Sequence, residues 1–269
     1  MRNYYHRHMI RTIKNSIIWA IKKALFNYER PRYSTFIYHL SRQYVNYYNG
    51  DGNANMSTNG EQRFLESMVK DGMVVFDVGA NIGEYSDRVL KISKNVAIHC
   101  FEPDKDIFDK INLSGVTKVN RAVSDAVGTR PFFRNQTHPA LSSFYDMRAE
   151  TSPAYESVMP VAIETTTLDV YCGERGIKHI DLLKIDVEGH ELSVLRGAEG
   201  LIESRAIDVI QFEFGHAAIF ARTFLKDLFD FFEKYGYEIY KIKPLGLERK
   251  EYTPEEERCS YANFIAKKS

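Results

Sequence analysis

The feature that most constrains this chain of 269 residues is a regular alternation of strand-like and helix-like segments that begins at Met73. The central strand-like segments are apolar along nearly their whole length, as strands covered on both faces should be. Such alternation predicts an α/β fold, in which a mainly parallel sheet carries helices on both faces. The strand-like segments are MVVFDV, VAIHCFE, KVNRAVS, DLLKIDV, AIDVIQFEF, YEIYKIK and NFIAKK.

The first strand runs into the loop VFDVGANIG, which combines an acid with two glycines. Gly79 lets the chain turn and lets a ligand approach the backbone, whereas Gly83 admits close packing where the next helix begins. The loop does not match the dinucleotide pattern Gly-x-Gly-x-x-Gly. Asp77 would repel a pyrophosphate but suits a ligand with a cationic amino group, such as S-adenosylmethionine. Asp77, Gly79, Asn81 and Gly83 are therefore candidate cofactor-binding residues.

The next two strands also end in polar residues. Glu102 closes the second strand, where an acid accepts hydrogen bonds from a ribose diol. Ser124 and Asp125 close the third strand, where they would meet the amino group of an adenine. Because parallel strands end at one edge of the sheet, these residues extend the predicted cofactor site.

Several of these segments resemble the FkbM-type S-adenosylmethionine-dependent methyltransferases. The resemblance covers about Asn59 to Phe214, and its most specific part is LLKIDVEGHE followed by VLRGA. It implies a class I methyltransferase fold, with a seven-stranded sheet whose last strand is antiparallel. It also implies methylation of hydroxyls on glycan sugars or on small-molecule products. The other matching segments are VVFDVGANIGEYS, FEPD, AVSD and TTLDVYCGERGIKHID.

The fourth and fifth strands supply candidates for activating a hydroxyl, which needs a base or a metal to remove its proton. Asp186 and Glu213 lie at neighbouring strand ends, where a hard cation such as Mg²⁺ or Mn²⁺ would find oxygen ligands. Asp186 also borders the predicted cofactor site. Asp186, Glu188, His190 and Glu213 are the candidate catalytic residues.

Alternatives remain open for three of these positions. His190 is a general base, a neighbour of the metal, or a structural residue in the first turn of a helix. Glu188 is a catalytic acid or a partner of the helix dipole. Lys184 contacts the substrate, or it pairs with Asp186 or Glu213 and is structural.

The segment from Gly128 to Gly173 is long and irregular, as functional loops often are. Ser142 and Ser143, among its aromatic residues, are candidate substrate contacts. The alternative is an ordinary insertion that contains a short hairpin.

The chain divides by composition into an N-terminal extension, residues 1–56, and a predicted methyltransferase domain, residues 57–269. Residues 1–50 carry nine basic residues and one acid, Glu29, and residues 9–26 show helical periodicity. Three alternatives are open for this basic helix: it packs on the domain, it lies on an anionic membrane surface, or it dimerises. Packing is favoured, because the apolar face of a helix is most often buried against the rest of the protein. Nucleic-acid binding is not expected, because the basic residues do not continue into the domain.

Cysteine usage indicates a reducing compartment, since Cys100, Cys172 and Cys259 are far apart and odd in number. We therefore expect a cytoplasmic protein. The resemblance described above implies an enzyme that methylates a sugar hydroxyl of a glycan or glycoconjugate. A small secondary metabolite is the alternative substrate. The rival classes are a dinucleotide-dependent oxidoreductase and a non-catalytic binding module.

Overall fold

The computed structural model describes residues 14–23, 31–148 and 153–268. The strands in these ranges form two sheets. The strands in these ranges are β1 (Val74–Val78), β2 (Ala97–Phe101), β3 (Val116–Val119), β4 (Ala122–Val123), β5 (Gly128–Asn135), β6 (Val158–Thr166), β7 (Ile180–Ile185), β8 (Ile207–Phe214), β9 (Tyr237–Lys243), β10 (Gly246–Lys250) and β11 (Ala262–Lys268).

The helices with defined ends in the same ranges are α1 (Pro31–Asn49), α2 (Met56–Asn59), α3 (Glu61–Met68), α4 (Glu84–Ile92), α5 (Lys105–Phe108), α6 (Leu168–Arg175), α7 (Glu191–Arg196), α8 (Glu199–Glu203), α9 (Ala217–Ala221) and α10 (Leu225–Lys234). Residues 14–23 are also helical, and the rest of the helix predicted over residues 9–26 lies outside the described residues. Among the described residues, no helix combines the length and hydropathy that a membrane crossing requires.

The larger sheet has the strand order β10-β9-β11-β8-β7-β1-β2-β3. From β3 to β8 all pairings are parallel, and β11 is antiparallel to both β8 and β9. The predicted mainly parallel sheet with an antiparallel last strand is therefore confirmed. The order reverses between β1 and β7, so the crevice where an open α/β sheet binds ligands lies at their carboxyl ends.

The predicted count of seven strands is wrong, because β10 adds an eighth at the edge of the sheet. Its residues pair with β9 from Gly246 opposite Lys243 to Lys250 opposite Ile239. The strand is short and carries three charged residues in a row, Glu248, Arg249 and Lys250. Charges protect an edge strand from pairing with another chain, and they also hide its apolar pattern.

The segment from Gly128 to Gly173 is more regular than expected. Strands β5 and β6 pair in an antiparallel ladder, and β4 joins β6 to complete a sheet of three strands. The hairpin alternative is thus closer to the structure than an irregular loop. Pro131 and two arginines obscure the strand pattern of β5, as Pro does in edge strands.

Helices cover both faces of the large sheet, and side chains alternate between two apolar cores. Phe76 and Leu183 belong to one core, whereas their neighbours Val75 and Leu182 belong to the other. Of the described residues, those up to Asn49 form one compact unit and those from Gly50 form a second.

Candidate active site

A cavity of about 780 Å³ opens at the carboxyl ends of β1, β2, β7 and β8. It lies within the unit that begins at Gly50. Candidate residues from five separate sequence segments line it. They are Asp77, Gly79, Asn81, Glu102, Ser142, Lys184, Asp186, Glu188 and Glu213.

The loop after β1 is fixed by its backbone. The amides of Gly79 and Ala80 donate hydrogen bonds of 3.0 and 2.9 Å to the carbonyl oxygen of Phe101. Gly79 has a φ of +83°, and a Cβ there would lie 1.8 Å from the carbonyl oxygen of Asp186. Gly79 is thus required for packing against the end of β7 as well as for the turn. Gly83 packs against Leu113, whose Cδ1 would lie 2.9 Å from a Cβ at this position.

Asp77 is 1% exposed and lies at the floor of the cavity. Its Oδ2 accepts a hydrogen bond of 2.6 Å from the hydroxyl of Ser86. Burial raises the pKa of Asp77 to about 6, although Ser86 and Lys184 oppose that rise. A cationic ligand group in the cavity would stabilise the ionised carboxylate.

Glu102 borders the same cavity at the end of β2. Its two oxygens accept hydrogen bonds from backbone amides, Oε2 from Asn81 at 2.9 Å and Oε1 from Asp104 at 2.8 Å. Burial raises the pKa of Glu102 to about 7, against the effect of these amides. Each carboxylate oxygen has a further lone pair, so the oriented group can accept hydrogen bonds from a diol.

Arg88, which sequence reasoning missed, supplies positive charge to the cavity wall. Its NH2 nitrogen lies 2.9 Å from Oε1 of Glu84, and its NH1 nitrogen donates to Gln62 at 3.1 Å. Its Nε is buried without a hydrogen-bond partner among the described residues. As part of the cavity wall, the guanidinium group of Arg88 can attract an anionic group of a ligand.

Three carboxylates meet at the ends of β7 and β8. Oxygens of Asp186, Glu188 and Glu213 all lie within 4.8 Å of one another. Burial, reinforced by the charge of Asp186, raises the pKa values of Glu188 and Glu213 well above the usual range. Carboxylates this close repel unless a proton or a cation lies between them.

Lys184 partly compensates this negative charge. Its Nζ lies 3.1 Å from Oδ2 of Asp186 and 3.3 Å from Oδ1 of Asn263. Burial disfavours its charged form, yet Asp186 and Glu61 raise its pKa well above the usual value. Lys184 is therefore a cation in the wall of the cavity.

A buried hydrogen-bond network is connected to Lys184 through Asn263. Glu61 accepts hydrogen bonds from Gln211 at 2.7 Å and from Asn263 at 3.2 Å, and Gln211 accepts one from the Tyr85 hydroxyl at 2.9 Å. Glu61 is not among the residues predicted for the site, although a signal was present. Glu61 precedes Phe64, Leu65 and Met68 at helical spacing, so it occupies the apolar face of α3.

His190 lies outside the cavity lining and is 4% exposed. Its Nε2 shares a hydrogen bond of 2.9 Å with the Ser124 hydroxyl, and its Nδ1 shares one of 3.3 Å with the Tyr145 hydroxyl. The ring stacks on Phe144, with centroids 4.1 Å apart. Burial lowers the pKa of His190 to about 4. His190 therefore connects Tyr145 to Ser124, which directly follows β4.

The remaining candidates are placed as follows. The hydroxyl of Ser124 is occupied by His190, and Asp125 forms an ion pair with Arg130 at 2.6 Å, so neither side chain lines the cavity. Ser142 lines the cavity, and its Oγ accepts a hydrogen bond of 3.0 Å from the Asn135 amide. Ser143 is buried and donates to the Glu188 carbonyl at 2.7 Å.

Known proteins with similar sequences include several methyltransferases. The 2-O-methyltransferase NoeI of Sinorhizobium fredii is 28% identical over 165 residues, which cover 54% of this chain and 66% of NoeI. The hexuronic acid methyltransferase AglP of Haloferax volcanii is 28% identical over 166 residues, covering 58% of this chain and 64% of AglP. The 31-O-demethyl-FK506 methyltransferase FkbM of Streptomyces tacrolimicus is 33% identical over 159 residues, covering 49% and 61%. This chain thus spans less than two thirds of the length of these relatives.

The model of the methyltransferase FkbM domain matches residues 77–239. The match begins at the buried acid of β1 and includes Asp77, Glu102, Asp186, Glu188 and Glu213, the strand-end carboxylates of the cavity. It confirms the resemblance found in the sequence. The chain belongs to the FkbM methyltransferase domain family.

Proposed function

We propose that this chain is an S-adenosylmethionine-dependent O-methyltransferase that methylates a sugar hydroxyl of a glycan or glycoconjugate. One observation carries the proposal. Two separate acids on β1 and β2 face three clustered carboxylates on β7 and β8 across a single cavity. The two acids of β1 and β2 suit the methyl donor. The three carboxylates suit an acceptor hydroxyl that must lose a proton.

The residues around β1 match the groups of the methyl donor. Glu102 would accept hydrogen bonds from the ribose diol, and Asp77 would favour the cationic amino end. The guanidinium group of Arg88, which lines the cavity, would attract the carboxylate of the donor. When bound, the sulfonium supplies an activated methyl group, so the protein needs mainly to align the acceptor.

Activation of the acceptor falls to Asp186, Glu188 and Glu213. One possibility is that their oxygens hold a divalent cation, which would lower the pKa of a bound hydroxyl. The other is that Glu188 or Glu213 takes the proton directly, since a raised pKa makes the ionised carboxylate a stronger base. His190 is buried outside the cavity, which favours a positioning role over the role of base.

The substrate class rests on the relatives. AglP is named for a hexuronic acid, and its similarity to this chain supports a sugar acceptor. The relative FkbM is named for 31-O-demethyl-FK506, which supports a small secondary metabolite as the second candidate.

Mass spectrometry of glycans from cells with and without the protein tests the sugar proposal. We expect glycans from cells that contain the protein to be heavier by one or more methylene units. A matched strain with Glu213→Gln should resemble the strain without the protein. Unchanged glycans, together with a methylated small product, would move the assignment to the second candidate.

The N-terminal unit suggests where the enzyme works. Residues 14–23 and 31–49 contain no acid, and large apolar side chains in these ranges are exposed, among them Trp19 at 63%, Phe36 at 66% and Tyr47 at 74%. Basic and aromatic helices of this kind lie on anionic membrane surfaces. We place the chain in the cytoplasm, with this unit in peripheral contact with such a surface.

A flotation experiment tests this location. The full chain should float with anionic liposomes and be released from them by high salt. A doubled mass in solution without liposome binding would indicate a homodimer instead.

A further inference from the structure

A second cavity of about 250 Å³ lies beside α7 and the end of α9. Its lining includes Arg196 and Arg222 and the hydroxyl residues Tyr145, Ser193 and Thr223. Nothing in the account of methyl transfer given above uses this space.

The cavity carries excess positive charge. Among the described residues, neither Arg196 nor Arg222 forms an ion pair, and both side chains are exposed. Asp227 is the acid in the lining, and its Oδ2 accepts a hydrogen bond of 2.8 Å from the Phe224 amide at the start of α10. Two guanidinium groups against one carboxylate favour an anionic ligand, because guanidinium binds carboxylate and phosphate through paired hydrogen bonds.

The second cavity adjoins the first. Glu188 lines the first cavity and its neighbour Gly189 lines the second. Likewise, Phe144 lines the first cavity and Tyr145 lines the second. Helix α9 also connects them, because His216 before it lines the first cavity and Arg222 after it lines the second. A helix of five residues rises only about 7 Å. The two cavities therefore lie on either side of the same short segments of chain.

We infer that the second cavity is a subsite for an anionic oxygen group of the acceptor, a carboxylate or a phosphate, whose hydroxyl reacts in the first cavity. The inference rests on the proposed function for its acceptor, but the binding of anions can be measured by itself. Arg196 and Arg222 form the charged contacts, and the three hydroxyl residues supply further hydrogen bonds. Such a subsite would select charged sugars over neutral ones.

Titration of the full ¹⁵N-labelled chain, followed through the amide signals of Gly189 and Thr223, tests the inference. The probes are D-glucuronate, inorganic phosphate and, as the neutral control, D-glucose. We expect saturable shifts with the anions and none with glucose. Tighter binding of glucuronate would identify a carboxylate group, and tighter binding of phosphate would identify a phosphorylated sugar.

Variants separate charge recognition from folding. Arg196→Gln and Arg222→Gly should each weaken anion binding about tenfold. Glycine suits position 222, where φ is +55°, so this variant should fold. Arg121→Gln, which removes an exposed arginine that pairs with Glu164, is the matched control and should leave anion binding unchanged.

The outcomes distinguish this inference from the proposed function. Calorimetry with S-adenosylmethionine on the same proteins should give equal affinities, because neither arginine lines the first cavity. Anion binding without S-adenosylmethionine binding would support the subsite and contradict the methyltransferase. No saturable shift, an equal shift with glucose, or unchanged anion binding in both Arg196→Gln and Arg222→Gly would overturn the subsite.

Discussion

Gly79 and Asp186 are packed backbone against backbone: a Cβ at Gly79 would lie 1.8 Å from the Asp186 carbonyl oxygen. Gly79 follows the buried acid of β1, and Asp186 belongs to the carboxylate cluster after β7. The contact therefore joins the side of the cavity proposed for the methyl donor to the side proposed for the acceptor. A change in either loop should alter the distance over which the methyl group moves.

We predict that Gly79→Ala destabilises the fold by about 2 kcal/mol or more, because it adds a collision to the strain of a positive φ. Urea unfolding measures the loss. Gly115→Ala is a matched control, since Gly115 has a φ of +82° and no atom within 4 Å of the added Cβ. Equal losses in the two variants would show that the contact with Asp186 adds nothing beyond strain.

The affinity for S-adenosylmethionine should rise with pH. Burial raises the pKa of Asp77 to about 6 and that of Glu102 to about 7, so both carboxyls are partly protonated in weak acid. Because the ligand groups assigned to them favour the ionised forms, affinity should increase between about pH 5 and pH 8. Calorimetry across this range measures the rise. Glu102→Gln should remove its upper part, and an identical profile in this variant would rule out the assignment of Glu102.

The carboxylate cluster gives a prediction that does not depend on activity. If Asp186, Glu188 and Glu213 hold a divalent cation, Mn²⁺ should raise the Tm of the wild type and not that of Glu213→Gln. Without metal, Glu213→Gln should be at least as stable as the wild type, because it relieves repulsion between buried charges.

A second group of possible ligands provides the control for that measurement. His179, Asp181 and Asp208 also lie close enough to hold an ion, outside the first cavity. Asp208→Asn should therefore retain the Mn²⁺ shift if the cluster at Asp186 causes it. Full methylation in the presence of chelator would contradict the metal and leave Glu188 or Glu213 as the base.

His190 should contribute to stability rather than to proton transfer. Its pKa is lowered by burial to about 4, below that of a histidine in the unfolded chain, so the unfolded state binds more protons at intermediate pH. The stabilisation by neutral His190 is complete above about pH 6.5 and declines as the pH falls toward 4.

His190→Phe tests this account. The variant should lose about 1–3 kcal/mol at neutral pH, because the buried Ser124 hydroxyl loses a partner. The difference in unfolding free energy from the wild type should shrink on acidification, while the affinity for S-adenosylmethionine stays the same. A loss of methylation by about 10²-fold or more in a variant of normal stability would restore the general base.

The sequence predicts those residues of the first cavity that lie at the ends of strands. Asp77 and Glu213 lie near the carboxyl ends of apolar strands, and Glu102 and Asp186 directly follow such strands. Parallel strands bring their carboxyl ends to one edge of the sheet. Periodicity alone places such residues together.

The sequence does not predict which way a side chain points after its strand has ended. Ser124 and His190 follow the expected strands, yet they bind each other behind the cavity wall. Glu61 lies outside the motifs. Its helical spacing places it on the apolar face of α3, but only the packing of α3 brings it to the cavity.

Calorimetric titration of the folded chain with S-adenosylmethionine tests the central claim most directly. We predict that the wild type binds S-adenosylmethionine and does not bind NADH, and that Asp77→Asn and Glu102→Gln each weaken the affinity by about 10- to 100-fold. Asp106→Asn, which alters an acid with 72% of its side chain exposed, should bind like the wild type. Unchanged affinity in folded Asp77→Asn and Glu102→Gln, or binding of NADH in place of S-adenosylmethionine, would contradict the account.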